Sequence, residues 1–207
     1  QFTALQLRGI NQVRSLVAPY MLRRTKAEVA PDLPPKIEQV LRVDLEPGHS
    51  TAYRELETQA RRQVSGLLQS GDRMSILAAL TALRRASLDL RLVGGRTGIT
   101  SAKTNALVEQ LQAIPNHKAL VFSQFTSYLK LIKEALEEAG IKTAYLDGST
   151  RQRDQVVKEF SEGDAQAFLI SLRAGGTGLT LTAADYVFVM DPWWNPAVEE
   201  QAIDRAH

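Results

Sequence analysis

Cysteine is absent from this 207-residue sequence, and histidine is scarce. Without cysteine, disulfide bonds and zinc sites built on thiolates are excluded, and an intracellular protein is the simpler interpretation. The three histidines, His49, His117 and His207, lie far apart in sequence. We therefore expect no metal site in this chain.

Long hydrophobic runs are also missing. No run approaches the roughly 18 apolar residues that a membrane-spanning helix requires, and the N-terminus lacks a signal-peptide pattern. Hydrophobic residues nevertheless make up 44% of the chain, the share of an ordinary globular protein with a core. These features predict a soluble cytoplasmic protein without a membrane partner.

Charge is unevenly divided, although the net charge is only +2. Residues 1–100 hold 15 Lys and Arg against 9 Asp and Glu, whereas residues 101–207 hold 10 against 14. The imbalance fits either a basic half that meets a polyanion or two solvated surfaces of unequal composition. Charge alone does not decide between them.

The first half of the chain has a mainly helical pattern. Apolar residues recur at three- and four-residue spacing over residues 4–20, 52–69 and 75–93. A period-two pattern over residues 37–45 predicts a strand, although Gln39 and Val40 interrupt the alternation. The glycine-rich stretch 94–101 is the best linker candidate.

The second half alternates short apolar runs with helical segments. The runs that predict buried strands are residues 118–123, 141–146, 167–172 and 185–190. One intervening helix carries apolar Tyr128, Leu129, Ile132 and Leu136 along one face and is expected to stop at Gly140. Ser149 and Gln152 fit a capping box for another helix. This alternation predicts an α/β layer sandwich, RecA-like or Rossmann-like, with a parallel sheet covered on both faces.

Ligands of such folds collect at the carboxyl ends of the strands, where four loops are expected, at residues 123–126, 147–150, 173–179 and 191–196. The glycine-rich loop 173–179 is suited to bind a phosphate through backbone N–H groups, or it is a tight turn that needs glycine for packing. In loop 191–196 we expect one of the two tryptophans, Trp193 and Trp194, to be structural and the other to contact a base or sugar. Further on, Gln201 and Arg205 share one helix face, which suits either a nucleotide phosphate or plain solvent exposure.

Taken in order, several segments resemble the Swi/Snf family of ATP-dependent DNA translocases in helicase superfamily two. They are YMLRRTKAEV (20–29), LPPK (33–36), SAKTNAL (101–107), KALVFSQFTSYL (118–129), YLDGSTRQRDQVVKEF (145–160) and the last 40 residues, 168–207. The resemblance implies a RecA-like three-layer sandwich over residues 101–207, the second lobe of a two-lobed motor. Residues 46–100 would then be a helical segment packing on this lobe, and residues 1–45 the connection from the first lobe.

The resemblance also implies functional residues. Residues 122–124 match motif IV, residues 173–178 match motif V, and Gln201 and Arg205 match the start of motif VI. DNA contacts are expected from Phe122, Ser123, Gln124, Ser149, Arg173, Gly175, Thr177 and Trp194. Nucleotide contacts are expected from Gly176, Gly178 and Arg205, with Arg205 and Gln201 as the catalytic pair. The motif VI pattern continues one residue past His207, so we expect the protein to continue there and motif VI to be truncated in this chain.

As implied by the resemblance, the full-length protein uses ATP and Mg²⁺, and the Walker A lysine and the magnesium ligand belong to the first lobe. This lobe alone is expected to be inactive and to bind no cofactor. The expected partners are duplex DNA, the N-terminal lobe and a DNA-bound protein such as RNA polymerase. The absence of cysteine and the absence of eukaryote-like insertions favour a bacterial member, located in the cytoplasm at the nucleoid.

Two departures and three alternatives remain. Ser87–Leu90 replace a cysteine-histidine-proline element that the family often has, and some relatives carry an apolar residue in place of Thr177. The alternatives are an RNA-directed or polymerase-recycling helicase, a non-catalytic binding module derived from such a lobe, and a small-molecule α/β enzyme. The last leaves DPWWNP (191–196) unexplained.

Overall fold

A computed structural model of the chain describes residues 37–70, 72–95, 98–175 and 181–193. The chain divides into two compact units, Gln1–Gln39 and Val40–His207, and every helix and strand given below belongs to the second. Within the described ranges, no helix is both long and apolar enough to cross a membrane.

Two helices form most of the described part before residue 100. Helix α1 spans Pro47–Ser70, helix α2 spans Arg73–Leu88, and a 3-10 turn covers Leu90–Val93. Asp72 caps α2, because its Oδ1 accepts a hydrogen bond of 3.1 Å from the backbone N–H of Ser75. The predicted helices at 52–69 and 75–93 are therefore confirmed, the second ending in the 3-10 turn. The helix predicted at 4–20 lies outside the described residues.

The strand predicted at residues 37–45 is wrong. Residues 37–46 have no regular secondary structure, and the side chains of Ile37 and Val40 are 91% and 84% exposed. A strand persists only where its backbone groups pair and one face is buried. Neither condition holds here, and the interruption at Gln39–Val40 was the sequence signal for it.

The second half forms a four-stranded parallel sheet in the order β2-β3-β1-β4. The strands are β1 Ala119–Ser123, β2 Thr143–Leu146, β3 Ala167–Ser171 and β4 Tyr186–Val189. The helices around it are α3 Ala102–Ala113, α4 Thr126–Glu138, α5 Arg153–Glu162 and the short α6 Leu172–Gly175. All four predicted strands are confirmed to within two residues at each end.

Each face of the sheet packs against its own helices. In β1, Ala119 and Val121 join the cluster that includes α3 and α4, whereas Leu120 and Phe122 join the cluster that includes α5 and α6. This period-two division gives the three layers of a RecA-like α/β fold. The predicted apolar face of α4 is fully buried, and Gly140 follows the helix with φ 75°, which favours glycine.

The capping box predicted from Ser149 and Gln152 is wrong. Helix α5 begins at Arg153, so Gln152 occupies the N-cap position and makes no side-chain capping bond. Ser149 instead donates to Asp147 Oδ1 through its backbone N–H, at 2.8 Å, and through its hydroxyl, at 2.6 Å. Ser149 is thus part of a local Asx turn with Asp147 and does not cap the helix.

At Ser87–Leu90, where the family often has a cysteine-histidine-proline element, an ion pair fixes the chain instead. Asp89 is buried and accepts hydrogen bonds from Arg91 through the backbone N–H at 2.9 Å, Nε at 3.0 Å and Nη2 at 2.8 Å. These bonds to Asp89 raise the pKa of the Arg91 guanidinium. The ion pair closes the 3-10 turn that follows α2, so the chain remains ordered there without the family's element.

The hydroxyl of Tyr128 joins three helices inside the core. It lies 3.1 Å from Thr104 Oγ1 and 3.4 Å from Ser101 Oγ, and Ser101 in turn donates to the carbonyl of Leu88 at 2.6 Å. Tyr128 belongs to α4, Thr104 to α3 and Leu88 to α2. This buried polar chain therefore links the helical segment to the lobe.

We expect Tyr128→Phe to lower the free energy of unfolding by about 1–2 kcal/mol, because the buried hydroxyls of Thr104 and Ser101 lose a partner. Urea denaturation at neutral pH measures the change. Tyr186→Phe is the matched control, since the Tyr186 side chain is 40% exposed. Equal effects of the two substitutions would show that the buried chain contributes nothing specific.

Candidate nucleic-acid interface

The carboxyl edge of the sheet brings together four loops, which follow β1, β2, β3 and β4; the loops after β3 and β4 are described up to residues 175 and 193. Among the predicted site residues, those described here are Phe122, Ser123, Gln124, Ser149, Arg173 and Gly175. The others lie outside the described residues, namely Gly176, Thr177, Gly178, Trp194, Gln201 and Arg205. The roles assigned to all of them stay predictions.

The three motif IV residues differ in exposure. Phe122 is fully buried in the core cluster beside α5, and Ser123 is buried at the end of β1. Gln124 is only partly buried and begins the loop. Of the three side chains, that of Gln124 is therefore the one accessible to a ligand, while Phe122 and Ser123 are suited to hold it in place.

A buried carboxylate fixes this loop to the loop that follows β4. Asp191 accepts a hydrogen bond from the Ser123 hydroxyl at 3.1 Å and from the backbone N–H of Gln124 at 3.0 and 3.3 Å. Ser123 Oγ also accepts from the backbone N–H of Phe125 at 3.1 Å. We call residues 123–125 the β1 loop and residues 190–193 the β4 loop; Asp191 joins the two.

Two charges of opposite sign lie inside this junction. Burial raises the pKa of Asp191, against the opposing effect of the hydrogen bonds from Gln124 and Ser123. Burial lowers the pKa of Lys103, on the first turn of α3, and the negative charge of Asp191 counteracts that shift. Asp191 therefore favours the charged form of Lys103, and the positive charge of Arg84 favours the charged form of Asp191.

A second connection comes from the helical segment. Arg84 of α2 donates from Nη1 to Gln124 Oε1 at 3.4 Å and from Nη2 to the carbonyl oxygen of Pro192. Gln124 Nε2 donates to the same carbonyl at 3.2 Å, and the Arg84 guanidinium lies 6.0 Å from the centre of the Phe125 ring. Three elements distant in sequence thus meet around one side-chain amide.

Arg173 lies on the short helix α6, directly after β3. Its neighbours Leu172 and Ala174 are buried, whereas Arg173 itself is exposed. Ser171 Oγ accepts a hydrogen bond of 3.3 Å from the backbone N–H of Ala174, which fixes the turn. The local geometry therefore presents a guanidinium to solvent at the carboxyl edge, as a phosphate contact requires.

Ser149 lies in a loop whose polar groups already satisfy one another. The hydroxyl of Ser149 and the phenol of Tyr145 both donate to Asp147, the latter at 3.0 Å. The bonds from Ser149 lower the pKa of Asp147, and burial together with the bond to Asp147 raises the pKa of Tyr145 to about 12. A contact between the Ser149 hydroxyl and a phosphate would have to replace its bond to Asp147.

Comparison with known proteins identifies the family. Residues 102–207 match the helicase conserved C-terminal domain, and residues 1–92 match the SNF2-related domain. The chain belongs to the Swi/Snf family of helicases. Its RecA-like sandwich is the C-terminal helicase domain of that family.

Curated relatives are similar over different parts of this Swi/Snf chain. The putative ATP-dependent helicase/translocase YwqA of Bacillus subtilis is 36% identical over 96% of the chain, and the DNA repair protein RAD5 of Cryptococcus neoformans is 51% identical over 53%. The matched regions span only 23% and 10% of those two proteins. The Sulfolobus solfataricus SWI2/SNF2 ATPase core domain is similar over 94% of the chain and 43% of its own, with a TM-score of 0.68 and 25% identity.

The family implies ATP and Mg²⁺, and the described residues do not fit the magnesium ion. Two carboxylates follow strands at the carboxyl edge, Asp147 after β2 and Asp191 after β4. Asp147 accepts hydrogen bonds from Ser149 and Tyr145, and Asp191 is buried with both oxygens bonded to residues of the β1 loop. A magnesium ion needs carboxylate oxygens open to water and phosphate. Among the described residues, neither carboxylate at this edge is therefore suited to hold the magnesium ion.

Sequence analysis missed Arg84, Lys103 and Asp191 as members of the site. Weak signals were present, since Asp191 directly follows a predicted strand and Lys103 lies within the quoted SAKTNAL segment. Arg84 had only the excess of basic residues in the first half. Trp193 packs partly buried against the second core cluster, as the sequence predicts.

The raised pKa of Asp191 predicts a pH dependence of stability. The pKa of Asp191 in the folded protein lies above its usual value of 3.8, so the folded protein binds the carboxyl proton more tightly than the unfolded chain does. Ionisation of Asp191 therefore lowers the free energy of unfolding. The free energy of unfolding should therefore rise relative to Asp191→Asn as the pH falls from 7 through the raised pKa towards 3.8. Urea denaturation of both proteins at pH 7 and pH 5 measures the difference.

Other titrating carboxylates are common to the two proteins and cancel in this comparison. Asp72, Asp147 and Asp164, whose pKa values are lowered, would act in the opposite direction in either protein alone. The raised pKa would be contradicted if the difference in free energy of unfolding between the parent and Asp191→Asn stayed constant with pH. It would also be contradicted if acidification lowered the stability of the parent relative to that of the Asn variant.

Proposed function

We propose that this chain is the C-terminal RecA-like lobe of a Swi/Snf-type ATP-dependent translocase on double-stranded DNA. It supplies contacts to the DNA backbone through motifs IV and V and the arginine-finger side of the ATP cleft through motif VI. In the full-length protein the first lobe holds ATP and Mg²⁺, and this lobe alone does not turn over ATP. We place the protein in a bacterial cytoplasm, at the nucleoid.

One observation carries this proposal more than any other. The β1 loop of motif IV is joined by Asp191 to the β4 loop, which leads directly into the second tryptophan. Arg173 is exposed at the same edge of the sheet, as a phosphate contact requires, whereas Arg84 is bonded to the junction and Lys103 interacts with the charge of Asp191. Phosphate contacts supply most of the affinity of proteins for nucleic acid, and basic groups at one edge suit them.

The nature of the nucleic acid is the main alternative. An RNA-directed or polymerase-recycling helicase of the same superfamily would use the same lobe. The relative named as a DNA repair protein, 51% identical over 117 residues, favours DNA. Stimulation of ATPase activity by duplex DNA, single-stranded DNA and RNA separates the alternatives, and we expect duplex DNA to stimulate most. A non-catalytic module would show no ATP turnover with any of them.

We expect Arg205→Ala in the full-length protein to lower DNA-stimulated ATP turnover by roughly 10³-fold or more, with ATP binding largely retained. The reason is that a finger arginine stabilises charge that develops only in the transition state. Arg205→Lys should not restore turnover, because lysine lacks the planar fork of guanidinium donors. Steady-state turnover and equilibrium binding of a nucleotide analogue measure the two quantities. Normal turnover in the Ala variant would refute the finger role.

Arg173 and Trp194 are predicted to contact DNA in different ways. Arg173→Gln should weaken duplex binding and lower the slope of log affinity against log salt by about one, since one phosphate contact is lost. Trp194→Ala should weaken binding with little change in that slope. Fluorescence anisotropy with a labelled duplex at several salt concentrations measures both effects.

Lys142→Gln is the matched control for lost charge. Lys142 precedes β2 at the opposite, amino edge of the sheet, where it pairs with Asp164. Its removal should leave both affinity and salt slope near those of the parent. The proposed DNA face is wrong if Lys142→Gln and Arg173→Gln behave alike.

A further inference from the structure

Arg84 lies outside the RecA-like sandwich, yet its guanidinium is bonded to two of the loops at the sandwich's carboxyl edge. It donates to Gln124 Oε1 in the β1 loop and to the Pro192 carbonyl in the β4 loop. These partners are 40 and 108 residues away in sequence. A single side chain of helix α2 therefore adds a second connection between two loops that Asp191 already joins.

The bridge has little freedom, because its three members bond one another. Gln124 donates from Nε2 to the same Pro192 carbonyl, at 3.2 Å, that accepts from Arg84. A carbonyl oxygen has two lone pairs, and these two donors use both. Since Gln124 must donate to Pro192 and accept from Arg84, the orientation of its amide is fixed.

The position of the β4 loop determines where its tryptophans are held. Pro192 is followed directly by Trp193, which packs partly buried against the second core cluster, and then by Trp194 in sequence. The bridge holds the Pro192 carbonyl, which directly precedes the two tryptophans in sequence. A proline also limits the backbone freedom next to it. Loss of the bridge therefore loosens the backbone from which the predicted DNA-contacting tryptophan extends.

We propose that Arg84 is a positioning residue for DNA engagement, which sets the β4 loop, and with it the backbone that leads to Trp194, by bridging Gln124 and Pro192 from helix α2. The proposal rests on the proposed function for its effect on DNA, but the bridge itself exists without DNA. Arg84 acts through the loops and needs no phosphate contact of its own. The helical segment thus has a part in forming the DNA face.

The test uses Arg84→Gln and Arg84→Lys in the full-length protein, with Arg73→Gln as the matched control. Arg73 begins the same helix α2 and is exposed, away from the bridge. We expect Arg84→Gln to raise the duplex concentration for half-maximal ATPase stimulation by about tenfold, because bonds from a charged donor are lost. Turnover at saturating DNA should change less than twofold. Arg73→Gln should match the parent in both.

Lysine in place of Arg84 distinguishes positioning from direct phosphate binding. An ammonium keeps the charge but lacks the planar fork that reaches two acceptors at once. Positioning therefore predicts that Arg84→Lys fails to rescue and that the salt slope of DNA binding stays within about half a unit of the parent. Rescue by lysine, with a slope lowered by about one in Arg84→Gln, would show a phosphate contact instead and overturn the proposal.

A spectroscopic measurement without DNA tests the bridge independently of the proposed function. The protein is labelled with 5-fluorotryptophan, and the ¹⁹F resonances of Trp193 and Trp194 are assigned with Trp193→Phe and Trp194→Phe. Arg84→Gln should shift or broaden at least one of these resonances, whereas Arg73→Gln should change neither. Unchanged resonances in Arg84→Gln overturn the proposal. Failure of duplex DNA to stimulate the parent would refute the proposed function alone.

Folding of the variants is checked by thermal melting followed by circular dichroism. If Arg84→Gln melts well below the parent, Arg84→Lys carries the comparison, since lysine keeps a long aliphatic stem and a positive charge at this position. A lysine variant with parent-like DNA half-saturation and parent-like ¹⁹F resonances would then refute the bridge.

Discussion

The buried carboxylate of Asp191 is the constraint on which the rest of the sheet's carboxyl edge depends. A charged group removed from water is tolerated only where donors replace its hydration. Here those donors are the hydroxyl of Ser123 and the backbone N–H of Gln124, and the positive charge of Arg84 also favours the carboxylate. Because these donors belong to a different strand end, satisfying the carboxylate forces the two loops together.

The strand order explains why this junction is central to the surface. Strand β1 lies between β3 and β4, so the β1 loop is a neighbour both of the turn that carries Arg173 and of the β4 loop. The loop after β2, with Ser149 and Asp147, lies beyond β3 at the sheet's edge and satisfies its own polar groups. A ligand that spans Arg173 and the β4 loop would therefore pass over Gln124.

The sequence predicted the sheet because burial on both faces leaves a local signal, a short apolar run, at each strand. It predicted α4 because Tyr128, Leu129, Ile132 and Leu136 repeat at helical spacing. The predictions of a strand at 37–45 and of a capping role for Ser149 failed because both depend on hydrogen-bond partners. Local sequence pattern does not show which partner a backbone or side-chain group will bond. Arg84 could not be found from sequence, since its partner Pro192 lies 108 residues away and no periodicity links the two.

The helical segment is joined to the lobe by polar bonds as well as by packing. The Leu88 carbonyl of α2 accepts from Ser101 at the start of α3, and within the helical segment itself buried His49 of α1 has its Nε2 2.6 Å from the carbonyl of Ala86. Polar bonds have directional preferences that apolar contacts lack, so they restrict sliding of the helices against the sheet. Arg84 lies two residues before Ala86 on helix α2. A rearrangement that moved α2 would therefore have to break the bridge or carry the β1 and β4 loops along, which connects the helical segment to the proposed DNA face by a physical route.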